Sequence, residues 1–335
     1  MNNPKAPAYV FDTAFPEGAS TILFKIGSYE FHLYSLMLML GILCSILTII
    51  FFWNRAKISS DILIVFIMIT IPTSLIGARL GFVFESLIYH PETLQVSKWY
   101  AIWNGGLSIQ GGVLLAMIAD VIYAYRIRLK IDMRKVASII IPTILIGQFV
   151  GRWGNYVNHE VYGKIDWDGH SVLIFGKDFA RNMYISDTYS ASLGLQGAYR
   201  YPLFLYEALL NLTGYLLIVW VFNLFGLFKP GVTSGMYLAW YGVVRLAMEP
   251  LRQEAFLFYS LLAIFFTLTG LVIMVYYQFF NRVKYYKIKR KYYYDYLMVD
   301  LVKYNQWVQK TSYSALFYAV FSFFQKNVTR KLIKK

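Results

Sequence analysis

From residue 31 to residue 280 the chain is a succession of long apolar runs separated by short polar ones. A helix that crosses a bilayer needs about 20 predominantly apolar residues. Such runs lie near 31–53, 61–85, 105–125, 136–152, 202–228, 232–250 and 255–280. The pattern predicts an all-α polytopic membrane protein with seven transmembrane helices. The third and fourth runs are the weakest, since one opens on glycines and the other is short and interrupted by Pro142 and Gly147. The longest polar stretch between spans, 153–200, is rich in Gly, Asp, Tyr and Ser, contains the β-prone piece SVLIFG, and reads as a small head. Three segments follow: 1–28 before the first span, 29–281 as the membrane domain, and 282–335 as a basic tail. Residues 1–28 are punctuated by Pro4, Pro7, Pro16 and Gly18 and do not read as a cleavable signal. In the tail, SYSALFYAVFSFF is too short to span and predicts an interfacial helix.

Composition supports the membrane class: 58% of the 335 residues are hydrophobic and 15% charged, far from the balance of a soluble domain. Charge supplies an orientation. With seven spans, Arg55, Lys57, the five cations from Arg126 to Lys135, Lys229 and the thirteen Lys/Arg after residue 281 share one side. These are 21 of the 32 basic residues, so the N-terminus is expected outside and the C-terminus inside, with 153–200 an extracytoplasmic head. The net charge of +14 is then mostly a cytoplasmic excess. The basic stretch RVKYYKIKRK reads as an anchor on anionic inner-leaflet lipid in preference to a nucleic-acid contact. The single cysteine, Cys44, lies mid-span and leaves no disulfide framework and no CxxC metal site.

An ionised side chain near the bilayer centre costs about 2.5–3.5 kcal/mol on insertion scales, so polar groups within or beside the spans carry the functional signal. Tyr34, with His32 two residues earlier, fits an anchor at the outer interface or a ligand contact. Arg79 in GARLG does not share a helical face with Glu85, which leaves it a partner on another helix, a lipid phosphate, or snorkelling. In WNGGLSIQGGV, residues 103–113, the glycine pairs bracket Ser108 and Gln110; helix packing explains the glycines but does not require Gln110. In YGVVRLAMEPLRQE, Arg245, Glu249 and Arg252 are spaced i, i+4, i+7 on one helical face. The second arginine there is expected to leave an unpaired positive charge that suits an anionic ligand, with structural ion-pairing as the alternative. In GRWGNYVNHEVYG, residues 151–163, Arg152, Asn155 and Glu160 stand at the mouth of a span. The His159–Glu160 pair lacks the second histidine of H-E-x-x-H and is not a zinc site. A guanidinium pairs bidentately with phosphate, and an amide binds ester or glycerol oxygens.

GRWGNYVNHEVYG resembles the signature of the prolipoprotein diacylglyceryl transferases, roughly G-R-x-G-N-[FY]-x-N-x-E-x-x-G, at every fixed position including Gly163. The resemblance continues through FHLYSLMLMLG with Tyr34, GARLGFVF with Arg79, WNGGLSIQGG, YPLFLYEALLNLTG with Glu207, and YGVVRLAMEPLRQE. It implies transfer of the diacylglyceryl group of phosphatidylglycerol to the lipobox cysteine of a preprolipoprotein in the bacterial plasma membrane, without a cofactor. It also implies roles: Arg245, Tyr34 and Glu249 in catalysis, and Arg152, Asn155, Glu160, Gly163, Gln110, Arg79, Glu207 and Arg252 in substrate binding. The sequence departs from the pattern at Gln110, where a functional histidine is usual, and at Tyr201 and Phe204, which replace a histidine and a glutamine. An amide is no base near neutral pH. Two rivals are therefore a relative that binds lipid or precursor without turnover, and a transporter with an anion path along Arg79, Arg152 and Arg245. The transporter lacks an apparent inverted repeat.

Overall fold

The computed structural model describes residues 9–27, 29–89, 99–100, 106–253, 257–315 and 322. Residues 103–105 of the glycine-rich segment, and the part of the tail beyond 315 where the interfacial helix was expected, Ser322 apart, lie outside them. Strands β1 (Phe15–Pro16), β2 (Ile22–Ile26) and β3 (Tyr29–His32) lead into helix α1 (Leu33–Arg55), followed by α2 (Ser60–Tyr89), α3 (Ile109–Arg126), α4 (Met133–Ile140) and α5 (Ile144–Val157). The polar stretch holds α6 (His170–Leu173), α7 (Lys177–Asn182), β4 (Tyr184–Ser186), α8 (Thr188–Ser192) and β5 (Ala198–Tyr199). Then come α9 (Leu203–Tyr215), α10 (Val232–Met248), α11 (Leu257–Val275), the hairpin β6 (Tyr285–Lys289) and β7 (Tyr294–Met298), and α12 (Leu301–Lys310).

The fold is mostly helical but not all-α, since three small sheets accompany the helices. Among the described residues, six helical stretches are long and apolar enough to cross a membrane: Leu33–Arg55, Ser60–Ile88, Ile109–Arg126, Met133–Val157, Leu203–Asn223 and Leu257–Phe280. Side chains such as Met39, Ile42 and Leu47 on α1 and Phe258, Phe265 and Val272 on α11 are exposed, as lipid-facing positions would be. The remaining expected span, 232–250, is α10, a 17-residue helix continued by the 3-10 turn Glu249–Leu251.

The chain divides into two compact units, Met1–Phe51 with Ala137–Leu297, and Phe52–Val136 with Met298–Lys335. In the second, α2 and α3 meet along glycines. A Cβ on Gly77 would lie 2.5 Å from Gly111 O, and one on Gly81 would lie 2.8 Å from Gly111 Cα, so only hydrogen fits at this crossing. Asp120 of α3 accepts from Thr70 of α2 at 2.9 Å. Helix α12 docks on the turn after α3: Arg128, buried, donates to Thr311 O at 2.9 Å and lies 3.4 Å from the Tyr125 ring centroid.

In the first unit, Pro142 breaks the fourth span into α4, the 3-10 turn Ile141–Thr143, and α5. Proline has no N–H, so the carbonyl four residues earlier, Ser138 O, loses its helical partner. Asn223, at the end of the π-helical turn that continues α9, takes it up with a 2.6 Å hydrogen bond from Nδ2. Thr233 holds Asn223 Oδ1 at 2.9 Å. Beyond the break, Gly147 lets α5 approach Gly41 of α1, where an added Cβ would lie 2.9 Å from Gly147 O.

The polar stretch folds as a small head around Phe11, Val172, Ala180, Met183, Tyr184, Ile185, Tyr199 and Phe204. Its sheet runs β1-β4-β5, with Phe15 paired parallel to Ile185. The β-prone piece SVLIFG is not a strand. Gly169 takes φ 66°, and the Asp166 carboxylate accepts from Ser171 N at 2.9 Å and from Ser171 Oγ, which starts the helical turn α6. Local side-chain bonding to the backbone overrides strand propensity here. The fully buried Arg200 pairs with Asp187, whose other oxygen accepts from Tyr162 at 3.1 Å. Burial opposes ionisation of Asp187, but the Ser190 N–H and the Arg200 guanidinium outweigh it and hold the carboxyl below its ordinary value.

Two outcomes follow. Asn223→Leu removes the 2.6 Å hydrogen bond to Ser138 O and leaves it the longer one, 3.4 Å, from Thr233 Oγ1; it is expected to cost about 1 kcal/mol, read as a lowered unfolding midpoint in detergent. Asp187→Asn removes the countercharge of a buried guanidinium and is expected to cost about 3–5 kcal/mol, read as protease sensitivity of the head. Because the folded carboxyl titrates below its unfolded value, its contribution is full above about pH 3.9 and is lost as pH falls through the depressed value.

Candidate functional site

Helix α5 ends at Val157, and the chain then turns sharply through two residues with positive φ, His159 at 53° and Val161 at 55°. A β-branched residue in the left-handed region is strained, and such residues persist only where the surroundings hold them. Here the holding groups are visible. His159 is buried, stacks on Phe15 at 4.3 Å and places Nδ1 3.1 Å from Asn182 O, while burial pushes its imidazole below the usual range. Phe204 N donates to Val161 O at 3.0 Å and Gly163 N to Tyr201 O at 2.9 Å. Gly163 sits where a Cβ would lie 2.7 Å from Leu251 O, so its part is to let the loop close onto the start of α9 and the end of α10.

Glu160, between the two strained residues, accepts from Asn155 Nδ2 at 3.1 Å and from Asn158 Nδ2 at 3.3 Å. Asn155 Oδ1 accepts from Arg152 Nη1 at 3.1 Å, the i, i+3 contact expected on one face of a helix. Arg152 then turns its other nitrogen to Glu207 Oε2 on α9. Glu207 is buried and is shared: Oε1 takes Arg252 Nη2 at 2.9 Å and has Arg245 Nη1 at 3.9 Å. Arg245 Nε also faces Glu249 Oε2 at 3.8 Å. Tyr34 in the first turn of α1 lies within electrostatic reach of Glu160 and Arg152, and its ring lies where a Cβ on Gly154 would come within 2.8 Å.

Two expectations are corrected. Arg245, Glu249 and Arg252 do not lie on one continuous helix: α10 ends at Met248, Pro250 sits in the 3-10 turn that follows, and Arg252 has extended backbone at φ −74°, ψ 148°. Nor is Arg252 left unpaired, since it reaches Glu207. The first unit thus brings together nine of the eleven expected residues. The other two, Arg79 and Gln110, belong to the second unit. There Arg79 donates to Trp99 O at 2.7 Å and Gly106 O at 3.1 Å, and Ser108 Oγ lies 2.7 Å from Glu85 Oε1 and 3.1 Å from Gln110 Oε1.

A small cavity opens on the arginine cluster, lined by Gln148, Arg152, Glu207, Asn211, Tyr241, Val244 and Arg245. Gln148, Asn211 and Tyr241 are not among the residues expected from the sequence. Their signal was present: each stands four residues from a charged site residue on the same helix, on the same face. Among the described residues, three guanidiniums around Glu207, with Glu249 as the further carboxylate on them, make a site with cations in excess inside a largely apolar bundle. Such an arrangement binds an anion with oxygens in more than one direction, as a phosphate has.

The family model described as prolipoprotein diacylglyceryl transferase matches residues 21–276. The chain is 48% identical over 294 residues to the phosphatidylglycerol–prolipoprotein diacylglyceryl transferase of Mycoplasmopsis pulmonis (strain UAB CTIP), covering 86% of this chain and 90% of that one. It is 33% identical over 261 residues to the enzyme of that name from Streptococcus mutans serotype c, covering 76% of this chain and 93% of that one. For the Streptococcus agalactiae serotype Ia enzyme of that name the figures are 31% over 273 residues, 79% and 98%. With a match over most of its length and with the signature residues gathered on one buried carboxylate, the chain belongs to the prolipoprotein diacylglyceryl transferase family.

Proposed function

We propose that the protein transfers the diacylglyceryl group of phosphatidylglycerol to the thiol of the lipobox cysteine in preprolipoproteins, the first step of lipoprotein maturation. The observation that carries this reading is the cluster of Arg152, Arg245 and Arg252 on Glu207, opening on a cavity between apolar helices. In the reaction a sulfur–carbon bond forms at the glyceryl carbon and the carbon–oxygen bond to phosphate breaks. The electron pair of that bond leaves with glycerol phosphate, and the thiol proton passes to solvent or a carboxylate. Charge grows on the leaving phosphate and has to be met by fixed cations. Arg245 and Arg152 fill that role, with Glu249 orienting Arg245 and Arg252 in support. The thiol, with a reference pKa near 8.5, ionises more readily beside such cations. Tyr34, Asn155 and Glu160 orient lipid and peptide, and Gly163 keeps their loop closed. Arg79 acts by fixing the backbone of the segment that carries Gln110. The chemistry as written calls for no cofactor.

The protein sits as a multi-pass protein of the bacterial plasma membrane, with α10 counted as the sixth of seven spans. The N-terminus and the head are outside and the C-terminus inside, by the distribution of Lys and Arg. The site then faces the outer leaflet, and the basic tail meets anionic lipid of the inner one. A second reading, a relative that binds lipid or precursor without turnover, is favoured by one feature. Gln110 stands where the pattern that the chain resembles usually has histidine, and an amide takes no proton.

Purified protein given phosphatidylglycerol and a lipobox peptide is expected to add a diacylglyceryl mass to the cysteine and release glycerol phosphate; no mass gain would favour the second reading. Arg245→Ala is expected to lower kcat by at least about a hundredfold, and retained activity would remove that residue from the mechanism. Single-turnover rates across pH are expected to coincide for the native protein and Gln110→His. A large gain in the variant would mean that the native chain lacks an efficient base.

A further inference from the structure

The cavity has two layers. On α5, α9 and α10 the charged residues Arg152, Glu207 and Arg245 stand near the helix ends Val157, Leu203 and Met248. Four residues further into each helix, on the same face, stand Gln148, Asn211 and Tyr241, all three lining the same cavity. One helical turn is about 5.4 Å. An uncharged hydrogen-bonding layer therefore lies one turn deeper among the spans than the charged layer. Asn211 is 4% exposed, and Gln148 Oε1 is buried without a hydrogen-bond partner among the described residues. Gln148 Nε2 has only the Tyr237 hydroxyl, at 3.4 Å. Buried polar atoms in an apolar bundle cost free energy unless something completes their hydrogen bonding.

A phospholipid offers its polar groups in a fixed order from the membrane surface inward: head group, phosphate, then the ester carbonyls of the glyceryl backbone. With phosphate on the arginines, the group that lies one step deeper is the ester pair. Ester carbonyls accept hydrogen bonds and cannot donate them, and amides supply N–H donors. A half-turn of the Gln148 amide turns its N–H into the cavity and gives its oxygen the Tyr237 hydroxyl as donor.

We propose that Gln148 and Asn211 form a subsite for the ester carbonyls of the diacylglyceryl group, the part of the lipid that is transferred, and so hold its reacting carbon in line between phosphate and thiol. The assignment rests on the reading of Arg152 and Arg245 as phosphate ligands. It makes the enzyme selective for diester over diether lipid with the same phosphoglycerol head.

The test uses the full chain in nanodiscs, a lipobox peptide, and two lipids, dioleoyl phosphatidylglycerol and its dialkyl ether analogue. The native protein is expected to prefer the diester by about tenfold in kcat/KM. In Gln148→Met and Asn211→Leu, which keep side-chain volume, the ratio is expected to fall toward one. A native ratio of one, or variants that keep the native ratio, would overturn the subsite. Absence of thioether product from either lipid would instead overturn the transferase reading on which it rests.

Discussion

One buried carboxylate constrains the first unit more than any other group. Glu207 faces Arg152 from α5, Arg245 from α10 and Arg252 from the chain beyond the 3-10 turn. An unpaired charge in an apolar bundle is costly, and three guanidiniums without a shared anion repel one another. The helices can therefore pack in few ways that bring these ends together. The same requirement keeps the three guanidinium groups converged. Glu207 keeps the guanidiniums converged, at distances from 2.9 to 3.9 Å on its Oε1, without satisfying all of their N–H groups.

Reaching Glu207 requires α5 to point its last turns correctly, and that depends on the break at Pro142. The turn Ile141–Thr143 redirects the span, and the carbonyl it frees is returned to hydrogen bonding by Asn223, the last residue of the span that carries Glu207 near its start. A single stretch, Leu203–Asn223, thus satisfies α4 at one end and orders α5 at the other. At the close of α5 the strained pair His159 and Val161 is held by the head and by the start of α9, so the loop that carries Glu160 is fixed from both sides.

Much of the site was legible because charged and amide groups stand out against an oily chain. Arg152, Asn155 and Glu160 appear together in thirteen residues, and Arg152 and Asn155 stand three apart, the spacing of neighbours on one helical face, where the structure has them hydrogen-bonded. The position of Arg252 was misread, though Pro250 already marked the end of α10. Gln148, Asn211 and Tyr241 were passed over for a physical reason: a neutral polar residue in a span acquires meaning only when several helices aim theirs at one space. SVLIFG failed differently, since Asp166, five residues before Ser171, decides its conformation. Arg128, legible only as a loop cation, is buried under a helix nearly two hundred residues later in the chain.

The sheet of the head has a bearing on how the protein is made. Phe15 pairs with Ile185, and Phe11 packs with Tyr184 and Tyr199, so the core of the head is completed by segments about 170 residues apart. A contact of that separation forms late, after loop closure over everything between. During synthesis β1 emerges first and stays an unpaired edge until β4 arrives, with α1 through α5 laid down in the interval. The strained loop at Glu160 leans on this same head through the stacking of His159 on Phe15. Formation of the Glu160 loop is thus timed by the first-made part of the chain meeting one of its later parts, and a nascent protein stalled before residue 185 would carry Arg152 and Glu160 without the head that steadies that loop.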